Sequence, residues 1–180
     1  MSRVEPQSFA DLFEAVIENP LGSTRRFLEA KLEGWVEHGP EFAPLPMEYG
    51  YIPGTLNPAD GQPADVMVIG WGPTFPGCRY QVRPIGLLLR ADGDHKVLAV
   101  PHTDEYVSPI CDVHEVDGER LRRIESWFAP NFAILGWRDA CWAREWLSAC
   151  RTLAETRHTG ISPTEGPKGG LRCAADWMDG

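Results

Sequence analysis

Proline and glycine set the strongest constraint on this chain. Between positions 41 and 63, Pro44, Pro46, Pro53, Pro58 and Pro63 alternate with Gly50, Gly54 and Gly61. Proline has no N–H to donate and clashes with the preceding helical turn, so this density forbids a helix and leaves extended segments joined by tight turns. Three short apolar runs follow, at residues 66–71, 80–89 and 96–100. Gly72, Pro73, Pro76 and Gly77 separate the first two, and Asp92-Gly93-Asp94 separates the second from the third. Their length and branched content predict strands buried in a small barrel. Residues 8–18, with Phe9, Leu12, Phe13, Val16 and Ile17, fit a short helix or a strand entering the core.

Helical spacing is confined to the later part. Leu121, Ile124 and Phe128 recur at three and four residues within 118–128, and Trp142, Trp146 and Cys150 form a stripe within 139–153, with Ala143 and Leu147 beside it. Aromatic stripes of this kind are far more often core packing than a cofactor site. The expected fold is α+β and mainly β: a closed sheet flanked by two or more helices. Residues 1–159 read as one domain, and the Gly- and Pro-rich residues 160–180 as a loosely ordered tail.

With 180 residues, the chain is long enough for a hydrophobic core. Its net charge of −9 repels a phosphate backbone, which argues against nucleic-acid binding. A small anionic substrate remains compatible if cations stand between it and the protein's carboxylates. The five cysteines, Cys78, Cys111, Cys141, Cys150 and Cys173, include no CxxC pair and read as reduced thiols packed in the structure. No apolar run has signal-peptide or bilayer-spanning length, so a soluble cytoplasmic protein is expected, with no membrane contact.

Two acidic turns stand out. In Asp60-Gly61-Gln62-Pro63-Ala64-Asp65, two carboxylates flank a Gly/Pro turn just before a buried strand, a spacing that lets both reach one hard cation such as Mg2+. In Asp92-Gly93-Asp94, followed by Lys96, two acids and a lysine can hold a metal and a phosphate oxygen together. Asp and Gly are also ordinary turn residues, and each segment alone reads as structural. Tyr49 can offer its phenol to a phosphate, although a buried tyrosine in a sheet is the commoner case.

Taken together, YGYIPGTL, DGQPADVMV, FPGC, RPIG and DGDHKVLAVP resemble, in order and spacing, the central block of the soluble inorganic pyrophosphatases over roughly residues 45–102. Val16-Ile17-Glu18-Asn19-Pro20 with Gly22-Ser23 resembles that family's early strand, and residues 124–128 with Gly136-Trp137 resemble its last helices. The resemblance implies an OB-like five-stranded barrel with the active site at its mouth. It also implies Mg2+-dependent hydrolysis of pyrophosphate, a small anionic phosphate substrate, to two phosphates, and assembly as a homo-oligomer. On matching positions, Asp60 and Asp65 are metal ligands, with Asp65 bridging. Asp92 and Asp94 hold further Mg2+, and Glu18 belongs to the metal shell. Lys96 and Tyr49 bind phosphate, and Arg26 stands where a phosphate-binding lysine is usual. Asp60, Asp65, Tyr49 and Lys96 form the implied catalytic set.

The departures from the pattern are specific. Gln62 occupies the place of the motif's middle acid, and an amide cannot accept a proton at neutral pH. Leu28 stands where an acid is usual, with Glu29 adjacent. No arginine lies between Lys31 and Pro46, and Asn131 and Phe132 occupy the region of a Tyr-Lys pair. Three readings follow: a slowed pyrophosphatase, a hydrolase repurposed for an organic phosphate or diphosphate, and a non-catalytic relative that binds metal, phosphate or a protein.

Overall fold

The computed structural model describes residues 12–30, 34–70 and 72–159. Its strands are β1 (Phe13–Asn19), β2 (Arg26–Ala30), β3 (Gly34–His38), β4 (Glu48–Ile52), β5 (Ala64–Val68), β6 (Arg79–Arg90), β7 (Lys96–Pro101) and β8 (Ile134–Arg138). The helices are α1 (Gly118–Phe128) and α2 (Ala140–Thr159). Strands β1, β4, β5, β7 and β6 hydrogen-bond in that order, and β6 pairs back to β1, closing the expected five-stranded barrel. Strand β8 extends the sheet beside β6, while β2 and β3 form a separate hairpin. All neighbours are antiparallel except β5 and β7.

The apolar run at 80–89 becomes one long strand because it bends. Its register with β7 shifts between Pro84 and Gly86, where proline removes a ladder donor. Before the bend β6 pairs with β1, and after it with β8. Both faces of these strands are covered, which explains continuous apolar runs rather than alternation. One core cluster packs Ala15, Ile17, Val66, Val68, Leu87 and Val97 against Ala143, Trp146, Leu147 and Cys150 of α2. The other packs Met67, Ile85, Leu88 and Leu98 against Ile124 and Phe128 of α1.

Both helices start where side chains take up otherwise unpaired N–H groups. Asp117 Oδ1 accepts from Glu119 and Arg120, Asp139 Oδ1 from Trp142, and Asp112 Oδ2 from Ala140. The buried stripe of α2 is Ala140, Ala143, Trp146, Leu147 and Cys150, so Trp142 lies at its edge. There Trp142 receives Arg138, whose guanidinium carbon lies 5.6 Å from the ring centre. Residues 13–18 form a strand rather than a helix. Gly136 and Trp137, expected with the last helices, lie in β8, paired with Leu89 and Leu88. The β2–β3 hairpin was not expected at all; its alternation is masked by charged residues on an exposed pair of strands. The expected tail at 160–180 and the N-terminal residues 8–11 lie outside the described residues. Among the described residues no helix is long and apolar enough to cross a membrane, and Cys78, Cys141 and Cys150 are free thiols.

Candidate active site

The one parallel strand pair among the described residues builds the site. Val66 pairs with Val97 and Met67 with Leu98, so Asp65 and Lys96, each one residue earlier, enter side by side on the face that α1 covers. Tyr49 of β4 pairs with Met67 and shares that face. Its ring lies 6.4 Å from that of Phe128 on α1, and Phe128 lies 6.3 Å from Phe132. An aromatic floor therefore backs a row of charges.

Lys96 is 2% exposed. Its ammonium contacts Asp65 Oδ2 and lies 2.6 Å from Asp94 Oδ2. Burying an ammonium is tolerable only with such partners, because desolvation of an isolated charge is costly. Asp65 also hydrogen-bonds with the Tyr49 hydroxyl. Burial pushes the Asp65 carboxyl upward, against the opposing pull of Lys96. Tyr49 is driven well above its ordinary range, by burial first and then by Asp65, so its phenol stays protonated as a donor. Glu18, on β1, is pushed up to about 7 by burial and then by Asp65, with Arg26 pulling the other way. Negative charge at the Glu18–Asp65 end is thus only partly matched.

Glu18, Tyr49, Asp65, Asp94 and Lys96 converge, with the exposed Arg26 at the rim. Asp60 does not join them: it is exposed and its Oδ1 accepts the N–H of Gln62, 2.9 Å away, within its own turn. Asp92 is exposed as well, and its Oδ2 contacts Arg90. Gln62 is exposed beside Asp60. Among the described residues no group of three or more His, Cys, Asp or Glu side chains is arranged around one metal position.

Three residues of the site escaped sequence reading. Asn57, fully buried, donates to Asp94 Oδ1 at 2.8 Å and accepts from Ala59 at 3.0 Å. Its own backbone pairs with Gln62 O and Gly61 N. It therefore ties the 57–62 turn to the 92–94 turn. The signal was Asn before Pro58, a turn former. Arg90, at the end of an apolar strand, is 4% exposed and pairs with Asp92 and Asp94. His95 lies beneath the turn, accepting the Arg90 N–H on Nδ1 at 3.2 Å, with its ring 5.0 Å from that of Trp146. Arg83, conspicuous in the RPIG segment, serves elsewhere: it donates to Ser108 O and, at 2.9 Å, to Ile110 O, holding that loop.

A hard-oxygen donor set beside a buried ammonium suits a divalent cation and phosphate oxygens together. Mg2+ needs only one or two carboxylates when waters and substrate oxygens complete its shell, so Asp65 and Glu18 fit it.

Comparison with known proteins agrees with this chemistry. The family model for inorganic pyrophosphatase matches residues 15–155. An inorganic pyrophosphatase of Synechocystis is 35% identical over 159 residues, covering 77% of this chain and 89% of that one. One from Halalkalibacterium halodurans is 36% identical over 158 residues, covering 84% and 94%. Among solved structures, the inorganic pyrophosphatase of Thermus thermophilus superposes with a TM-score of 0.72 at 29% identity, covering 86% of this chain and 97% of that one. That of Ehrlichia chaffeensis gives 0.71 at 27%, covering 83% and 99%.

Proposed function

Because the chain belongs to the inorganic pyrophosphatase family, we propose that it hydrolyses inorganic pyrophosphate to two phosphates with Mg2+, at the cluster of Glu18, Tyr49, Asp65 and Lys96. The observation that carries this reading is the buried Lys96 ammonium between Asp65 and Asp94, with under-neutralised acid on one side. Family membership implies a divalent metal; its identity as Mg2+ is inferred from the hard oxygen donors.

Asp65 and Glu18 would hold the cation, which would supply neutralising charge to substrate oxygens and a lowered pKa to a bound water. Lys96 contributes a fixed positive charge to a phosphate oxygen from a water-poor position, where such a charge is worth most. Tyr49, kept protonated, donates to another oxygen. Arg26 at the rim attracts the anion and meets its outer phosphate. Gln62 accepts no proton, so turnover is slowed at the position where a carboxylate would assist. A cytoplasmic setting and homo-oligomeric assembly belong to this proposal through the family resemblance.

One observation weighs against a bulkier organic substrate. Phe132, one of the two apolar replacements (with the exposed Leu28) that would suit such a substrate, is covered by the Arg90 guanidinium, 3.6 Å from its centroid. Phosphate release from pyrophosphate, assayed with Mg2+ and again with excess chelator, tests the proposal. Chelator-sensitive release is expected. No release from pyrophosphate, with release from an organic diphosphate, would transfer the activity to the second substrate class.

A further inference from the structure

We propose that Arg90 is a resident cation that takes charge of the 92–94 turn, so that this chain gathers divalent metal only at the Glu18–Asp65 end. The metal half of this statement rests on the function proposed above; the Arg90 half does not.

Arg90 is the buried arginine nearest the site, and each of its contacts fixes it. One terminal nitrogen contacts Asp92 Oδ2, and the other lies 3.1 Å from Asp94 Oδ2. The planar group stacks on Phe132, and its Nε has no hydrogen-bond partner among the described residues. Arginine cannot shed its proton in a protein, so a buried guanidinium imposes a permanent positive charge on its surroundings. The two carboxylates of the turn are what matches it.

Those carboxylates are also spoken for, oxygen by oxygen. Asp94 Oδ2 meets both Arg90 and Lys96, while its Oδ1 accepts from Asn57. Asp92 Oδ2 meets Arg90, and its Oδ1 accepts the N–H of Asp94 at 3.2 Å. Although burial opposes it, the Arg90 hydrogen bond and charge help hold the Asp92 carboxyl below its ordinary range. A divalent cation at this turn must displace a guanidinium anchored by burial, stacking and two ion pairs, or sit beside its fixed charge. At the other end, among the described residues, the positive charges that face Asp65 and Glu18 are Lys96 and the rim Arg26, and Asp65 has the neutral Tyr49 phenol as a further partner. The row Asp92–Arg90–Asp94–Lys96–Asp65 is therefore compensated at one end and open at the other. Sequence reading placed metal at Asp92 and Asp94; Arg90 removes both from that role and acts on the reaction only as a positioning residue.

Calorimetric titration of Mg2+ alone into the full-length protein decides it. Asp92→Asn is expected to bind Mg2+ within about twofold of the natural chain, whereas Asp65→Asn loses at least tenfold, about 1.4 kcal/mol per decade. Arg90→Gln, which returns two carboxylates, is expected to add a binding event or tighten binding at least fivefold. The proposal is overturned if Asp92→Asn weakens Mg2+ binding as Asp65→Asn does, or if folded Arg90→Gln binds as the natural chain does. Should Arg90→Gln fail to fold, the Asp92→Asn titration and its melting curve still decide: the Tm gain from Mg2+ should match that of the natural chain. A natural chain that binds no Mg2+ would sink the metal reading alone. Arg90 would then be judged by whether its Gln or Lys variant creates binding, and no binding in either variant would end the assignment.

Discussion

The turns at 60–65 and 92–94 are nearly the same object in sequence, and they do different work. Each begins with an Asp whose Oδ1 accepts the N–H two residues on, Gln62 at 2.9 Å and Asp94 at 3.2 Å. Each has a glycine in the left-handed region, Gly61 with φ of 72° and Gly93 with φ of 79°, where a side chain would be strained. They lie against one another and are joined by Asn57. What separates them is the cation behind each. The second turn closes on the buried Arg90. The first delivers Asp65 to the end of a strand, where a single ammonium answers it and Glu18 raises the local negative charge. Spacing of acids tells where carboxylates gather, and the buried partner tells which of them are available.

Lys96 joins both turns, so its loss should have the largest effect. Lys96→Met leaves Asp65 and Asp94 facing each other without their ammonium and should cost about 3–5 kcal/mol of stability, the range for breaking a buried pair. The midpoint of urea unfolding measures this; a loss below about 1 kcal/mol would mean that the turns do not depend on each other through Lys96. Next comes Gln62→Asp, which restores a proton acceptor to the first turn. It should raise kcat on pyrophosphate about 10²-fold, since general-base help is worth roughly 10²–10⁴, with KM little changed. An unchanged kcat would show that the proton leaves by another route.

Asn57→Ala cuts the link between the turns and strips a buried donor from Asp94. The expected cost is about 1–3 kcal/mol, read by thermal melting, without loss of the barrel's circular-dichroism signal. The smallest effect belongs to His95, under the second turn. Burial holds its pKa below the ordinary 6.5, so the unfolded chain takes up a proton before the folded one does. Stability should be full above pH 6.5 and fall as pH drops toward the folded value, then level off. His95→Gln should flatten that slope in Tm measured between pH 5 and 7, and an equal slope in both proteins would remove His95 from the account.

The barrel was legible in the sequence because its signals are local. Proline and glycine exclude helix between 41 and 63; the run at 66–71 overlaps the end of β5, with residue 71 outside the described residues, and the runs at 80–89 and 96–100 fall on β6 and β7. Asp65, Lys96 and Tyr49 were legible because neighbouring motifs carry them. The β2–β3 hairpin was not: five-residue exposed strands with Arg26, Glu29, Glu37 and His38 have no apolar alternation to read. Nor was Arg90, since an arginine ending an apolar run reads as the strand reaching solvent. Its burial depends on Phe132, more than forty residues away, and on a turn that folds back over it. Asn57 was hidden likewise, because a turn former before proline gives no hint that its amide reaches Asp94.

Pyrophosphate turnover by Asp65→Asn and Asp92→Asn, assayed side by side with Mg2+, tests most directly whether the two turns are unequal. Asp65→Asn should lose at least about 10²-fold, beyond the 10–100-fold that outer-shell partners of a metal carry, and Asp92→Asn should stay within about threefold of the natural chain. Equal losses in the two variants would contradict the account.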